Sequence, residues 1–353
     1  MAGSTSGPAT GGSTALGEPA DHTAADHTEI GRPLWLRNPH AQTIAGRFLR
    51  RGGGVHFRRE RIDTPDGDFL DLDFVDAPDA SWSALGPHAP IALVLHGLEG
   101  SARAGYAVQT YLGLARRGIR PVGLNFRTCG GEMNRTPRAY HSGETTDIAF
   151  VLAELRRRHP TVPIGAVGFS LGGNVLLKYL GETGPNCLVA AATAVSVPYD
   201  LAACVRHIEH GFGRLYTRHF LGRLREKLRA KADLVRGHCD YEAAQRARTL
   251  YAYDDAVTAP LHGFRDAEDY YTRSSSSRFL TRVQVPTLLI QARDDPFMAP
   301  GTIERLSIAD HRWLETAFVP RGGHVGFVKG RWPWSLTFWA EDHAAAFIAT
   351  TLR

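Results

Sequence analysis

The chain has 353 residues, of which 43% are hydrophobic and 22% charged, and it carries a formal net charge of +5. Those values fit one large globular domain and exclude a fibrous or wholly disordered chain. No apolar run reaches the ~18 residues of a membrane span, and no nucleic-acid-binding motif or basic tail accompanies the positive charge, so neither role is expected.

Met1 to Ile30 is built of Gly, Ser, Thr and Ala with scattered Asp and His. It has neither the apolar nor the basic region of a signal peptide. It also has too little apolar surface to offset the entropy of ordering. Residues 1–30 are expected to form a disordered extension and residues 31–353 one domain.

Val55 to Asp63 and Asp68 to Asp76 read as a hairpin around Pro65-Asp66-Gly67, a strong turn signal. Strand Ile91 to His96, helix Arg103 to Arg117 and strand Arg120 to Phe126 come next. Then come helix Thr145 to Arg158, strand Pro163 to Val167, a helix from Leu171, and strand Leu188 to Val197. Asp147 is read as capping or charging the first turn of its helix. This alternation implies a mostly parallel sheet flanked by helices and entered by an antiparallel hairpin.

The alternation fails between Tyr199 and Arg278, a helical, basic and aromatic stretch read as a cap inserted over residues 199–278. Its aromatic residues Phe212, Tyr216, Phe220, Tyr251, Tyr253, Tyr270 and Tyr271 either line a pocket or form the cap's own core. Arg206 to Arg236 is strongly basic, with Arg214, Arg218, Arg223, Arg225, Lys227, Arg229 and Lys231. Two readings stand: peripheral contact with an anionic membrane, or a solvated face of a lid helix. His207 and His210 lie three apart but lack a third ligand, so no metal is expected. The strand Thr287 to Ile290, the segment Thr316 to Pro320 and a helix Leu336 to Thr351 complete the chain. Cys129, Cys187, Cys204 and Cys239 are widely spread, which suits a reducing cytoplasm without disulfides.

The chemistry is concentrated in four places. Gly168-Phe-Ser170-Leu-Gly172 joins a strand directly to a helix. A serine between two glycines at such a turn is the nucleophile elbow of α/β-hydrolases. In that fold the partners occur in the order serine, acid, histidine. Downstream, Asp294 and Asp295 end an apolar strand, and Gly322-Gly323-His324-Val325-Gly326 offers the histidine. We assign the acid to Asp295, because Pro296 begins the loop that turns it toward the ring. The strand ending Leu95-His96-Gly97-Leu98-Glu99-Gly100 supplies one backbone donor, Leu98, to an oxyanion hole, and Leu171 supplies the other. His96 precedes the nucleophile, breaks the order, and is read as orienting its loop.

With these motifs in place, the chain resembles the YheT-like and embryogenesis-associated (EMB8-type) abhydrolases from roughly Arg32 onward. The resemblance rests on Leu36-Arg37-Asn38-Pro39-His40-Ala41-Gln42-Thr43 and Leu95-His96-Gly97-Leu98-Glu99-Gly100. It also rests on Asn125 to Glu132 with Tyr140 to Gly143, on the elbow, on Asp294 to Phe297 and on Gly323 to Gly326. It implies Ser170, Asp295 and His324 as a catalytic triad hydrolysing carboxylic esters, with short-chain esters and monoacylglycerols as usual substrates. No cofactor is implied, and a monomer is expected. An acyltransferase role in the wider group goes with His-x-x-x-x-Asp, whereas His22 to Asp26 and His262 to Asp266 are one residue short. The rival outside catalysis is a ligand-binding protein on the same fold.

Overall fold

The computed structural model describes residues 1, 33, 35–50, 55–76, 85–332 and 334–353. Beyond Met1, the extension expected over residues 1–30 lies outside them. Eight strands form one sheet: β1 (His56–Asp63), β2 (Phe69–Asp76), β3 (Ile91–Leu95), β4 (Arg120–Asn125), β5 (Ile164–Phe169), β6 (Ala191–Val195), β7 (Thr287–Ala292) and β8 (Leu314–Val319). Their order is β1-β2-β4-β3-β5-β6-β7-β8. The β1–β2 and β2–β4 pairs are antiparallel and the remaining pairs parallel. This is the α/β-hydrolase fold.

The hairpin turn forms where Pro65-Asp66-Gly67 predicts it. Gly67 adopts φ 78°, and the Thr64 N–H donates to Asp68 O at 2.9 Å. Every residue of β3, β5, β6 and β7 is buried, as expected of parallel strands covered on both faces. Helices α3 (Thr146–Arg158) and α4 (Leu171–Thr183) bury Ile148, Leu152, Val175 and Leu176 against one face. Helix α2 (Gly105–Ala115) and the C-terminal helix Trp339–Thr351 bury Tyr111, Leu114, Ala344 and Ile348 against the other.

Three elements escape the sequence reading. Helix α1 (Pro39–Leu49) precedes the hairpin. Its start signal is present in the sequence: the Asn38 side chain accepts from the His40 and Ala41 N–H groups, with Pro39 in the first helical position. Near the C-terminus, β9 (Val328–Lys329) pairs with β10 (Thr337–Phe338). The final helix therefore begins at Trp339 rather than Leu336. Asp147 lies in the first turn of α3, as expected, where it makes no cap bond and joins both carboxylate oxygens to Arg127 at 2.8 and 2.7 Å.

Between β6 and β7 lie α5 (Leu201–Ile208), α6 (Gly213–Ala230) and several shorter helical turns. Ile208, Leu221, Leu228, Val235, Leu250 and Tyr253 pack together as a separate core for this insertion. Among the described residues, no helix is long and apolar enough to cross a membrane.

Candidate active site

Ser170 occupies the single residue between β5 and α4, with φ 51° and ψ −119°. A side chain in that region is strained, and strain of this kind persists only when its surroundings enforce it. The flanking glycines show how. A Cβ on Gly168 would lie 2.5 Å from Gly172 O, and a Cβ on Gly172 would lie 2.5 Å from His96 O. Helix α4 is thereby pressed onto the end of β3, next to the His96 loop. Gly172→Ala is expected to cost about 3 kcal/mol or more through backbone overpacking. Gly222→Ala, whose Cβ meets nothing within 4 Å on α6, should instead stabilise by about 0.5–1 kcal/mol. Thermal unfolding of the two variants checks the contrast.

The three residues singled out by chain order come together. His324 Nε2 lies 3.0 Å from Ser170 Oγ. His324 Nδ1 lies 2.9 Å from Asp295 Oδ2 and 3.2 Å from Oδ1. Asp295 is buried and takes two further donors, Gln291 Nε2 at 2.8 Å and the Phe297 N–H at 2.8 Å. The Phe297 ring stacks on the imidazole with centroids 4.0 Å apart and planes 5° apart. Phe297 therefore fixes the plane of the ring, a role its place in the motif did not disclose.

Asp294 has a different task from its neighbour. Its Oδ1 accepts from the Gly322 and Gly323 N–H groups at 2.7 and 2.9 Å, tying down the loop that carries His324. Helix α1 grips the same loop from the other side. Thr43 Oγ1 accepts from the His324 N–H at 2.9 Å. Gln42 Oε1 accepts from the Val328 N–H at 3.1 Å. Arg50, just past the helix, donates to Val325 O and Gly326 O at 2.8 and 2.9 Å. Its guanidinium also meets Glu341 Oε1 at 2.6 Å, with both side chains buried. Burial pushes the Glu341 carboxyl pKa up against the pull of Arg50. Gly323 has φ 64°, and a Cβ there would strike Pro39 O at 2.6 Å, so α1 can seat this closely only on glycine.

On the opposite side of Ser170, the loop after β3 approaches so closely that a Cβ on Gly97 would lie 3.2 Å from Ser170 Cβ. Its N–H groups are mostly engaged. Gly97 donates to Tyr106 Oη at 2.9 Å, Glu99 to Tyr140 Oη at 2.8 Å, and Gly100 to Gly97 O at 3.0 Å. Among the described residues the Leu98 N–H has no acceptor. The Leu171 N–H opens α4 and has no partner within the helix. His96 is fully buried, and burial lowers its pKa to about 4. Its Nδ1 lies 2.8 Å from Gly97 O, and its Nε2 accepts from the Phe126 N–H at 3.2 Å. Both nitrogens are committed to the loop backbone, in keeping with an orienting role.

A cavity of about 1240 Å³ opens over Ser170, Leu98, Leu171 and His324 and is roofed by Leu201, Ile208, Tyr216 and Phe220 of the insertion. The aromatic residues of residues 199–278 divide. Tyr216 and Phe220 line the cavity, continuous with Phe297 through ring contacts of 4.7 and 6.0 Å. Tyr253, Tyr270 and Tyr271 are buried in the packing of the insertion itself.

The basic stretch departs from a single solvated face. Lys227 turns inward to Glu99 Oε1 at 2.9 Å. Lys231 is 4% exposed and donates to Asn134 Oδ1 and Arg138 O, both at 2.7 Å. Its burial lowers its pKa to about 8. Arg225 bonds Ala247 O, while Arg214, Arg218 and Arg229 remain exposed. The loop residues Arg127, Glu132 and Tyr140 bind Asp66 and Asp68, Arg61, and Glu99 respectively.

The sequence profile of the alpha/beta hydrolase fold family matches residues 90–330. The putative esterase YheT of Escherichia coli is 40% identical over 83% of this chain and 85% of its own length. The embryogenesis-associated protein EMB8 of Picea glauca is 30% identical over 86% of this chain and 69% of its own length. Among solved structures, the Pyrococcus furiosus esterase Pf2001 superposes with a TM-score of 0.54 at 16% identity, covering 84% of this chain and 92% of its own. The chain belongs to the α/β-hydrolase family, and within it to the YheT/EMB8-type abhydrolases.

Proposed function

We propose that this protein is a serine carboxylesterase working through an acyl-enzyme intermediate. The observation that carries the reading is the unbroken contact from Ser170 Oγ through His324 to Asp295. His324 Nε2 takes the hydroxyl proton as Ser170 Oγ attacks the ester carbonyl. The new C–O bond places negative charge on the former carbonyl oxygen, which the Leu98 and Leu171 N–H groups stabilise. Collapse breaks the bond to the alcohol, which leaves with the proton from His324. A water deprotonated by His324 then attacks the acyl-enzyme, releasing the acid and restoring Ser170. Asp295 holds the Nδ1 proton throughout and stabilises the imidazolium. The apolar cavity suits an acyl chain, and short-chain esters and monoacylglycerols are the substrates of this reading. The four cysteines are unpaired, which accords with a cytoplasmic enzyme.

A fluorophosphonate probe tests the mechanism, because only a base-activated serine phosphonylates readily. Mass spectrometry should place the label on Ser170 within minutes, and ester hydrolysis should fall in step with labelling. An unlabelled chain that still turns over esters would remove Ser170 from the chemistry.

A further inference from the structure

Helix α1 is amphipathic in the reverse sense. A surface helix ordinarily buries an apolar stripe and shows polar residues to water. The inward side of α1 carries Gln42 and Thr43, which hold the His324 loop. The outward side carries Ile44, Arg47 and Phe48, which share a face by their three- and four-residue spacing. Ile44 is 37% exposed and Phe48 77% exposed, although both line the cavity over Ser170. They stand at its mouth.

The start of α6 completes the rim. Leu215 also lines the cavity and is 53% exposed. The two helices touch through His40 and Phe212, with ring centroids 4.3 Å apart, and through Arg47 and His219 at 3.5 Å. Around the exposed apolar residues stand the cationic Arg47 and Arg218, with Arg223 paired to Glu99 at 3.6 Å and Glu226 the acid on the same helix. Exposed apolar residues gathered at one opening mark an interaction site. The cationic border selects an anionic surface, and the apolar cavity behind it can receive an acyl chain without passing it through water.

We propose that this rim, formed by α1 and the start of α6, is a docking surface for an anionic phospholipid bilayer. Phe48, Ile44 and Leu215 enter the acyl boundary, and Arg47 and Arg218 meet lipid phosphates. The proposal places the contact away from the inward-turned Lys227 and Lys231. It rests on the ester-hydrolase reading only for the fate of a lipid once docked. The test therefore uses the full chain carrying Ser170→Ala, which separates binding from turnover.

Sedimentation with phosphatidylcholine vesicles, with and without phosphatidylglycerol, measures the partition. Binding to the mixed vesicles is expected at low salt and should weaken at physiological salt, since surface charge is screened beyond roughly a Debye length. Phe48→Ser combined with Leu215→Ser should lower the partition about tenfold or more by removing two inserted apolar side chains. The thermal midpoint should stay near wild type, because both side chains already face water. Arg218→Glu should cost about fivefold or more on mixed vesicles. In the catalytically intact chain it should leave hydrolysis of a water-soluble nitrophenyl ester unchanged. No binding at low salt overturns the proposal, as does binding indifferent to the Phe48 and Leu215 substitutions. A concentration-dependent dimer that those substitutions dissolve would assign the rim to a second copy and overturn it equally.

Discussion

Ser170→Ala is expected to lower kcat for ester hydrolysis on the order of 10⁵- to 10⁶-fold, the scale on which triad serines matter in other hydrolases. The loss should be free of any folding defect. The Ser170 side chain makes no cap bond to α4, and alanine faces the same φ of 51°. The Oγ atom contacts His324 and the cavity rather than the core. Single-turnover kinetics alongside a thermal melt separates the outcomes. A variant with normal melting and normal turnover would refute the serine mechanism.

Asp295→Asn should cost roughly 10⁴-fold in kcat, as loss of tautomer control does in serine proteases. The reason lies in the count of donors. Asp295 faces three of them: His324 Nδ1–H, the Gln291 amide and the Phe297 N–H. An asparagine has one acceptor oxygen and one donating NH₂ group. When the oxygen serves Gln291 or Phe297, the NH₂ is turned toward His324 Nδ1. That arrangement favours the tautomer protonated at Nε2, which cannot accept the Ser170 proton. Asp294→Asn is the contrasting control. It keeps an acceptor oxygen for Gly322 and Gly323, so the loss should stay below about tenfold, the scale of one neutral hydrogen bond. Steady-state kinetics of both variants decides, and the opposite ranking would reassign the acid.

The sequence discloses the elements in which one local constraint dominates. Ser170 stands between glycines because two backbones meet there, and Pro65-Asp66-Gly67 turns because Gly67 alone adopts a positive φ easily. Fully apolar runs such as Ile91 to Leu95 became buried strands. What stayed hidden depends on distant partners. Helix α1 lacks an inward apolar stripe because its inward side bonds the His324 loop, so periodicity gives no sign of it. Lys227 and Lys231 read as solvated because nothing near them in the chain announces Glu99 or Asn134. Tyr216 and Tyr253 share a composition and a neighbourhood in the chain, yet one lines the cavity and the other packs within the insertion. Only the tertiary arrangement of the insertion divides them.

The clamp formed by Gln42, Thr43 and Arg50 separates two boundaries that are usually drawn together. The matched family profile begins at residue 90, but three of the groups that hold the His324 loop lie forty or more residues upstream of it. Removing α1 and Arg50 alone would leave every sheet strand in place while stranding the Glu341 carboxylate, whose charged partner is Arg50. The His324 N–H would lose its Thr43 acceptor at the same time. The boundary of the matched profile is therefore not the boundary of what supports the His324 loop, and losing α1 and Arg50 acts on the stability of the domain as well as on that loop. Any transplant or truncation of this domain must carry the amino-terminal helix to bring the histidine with it.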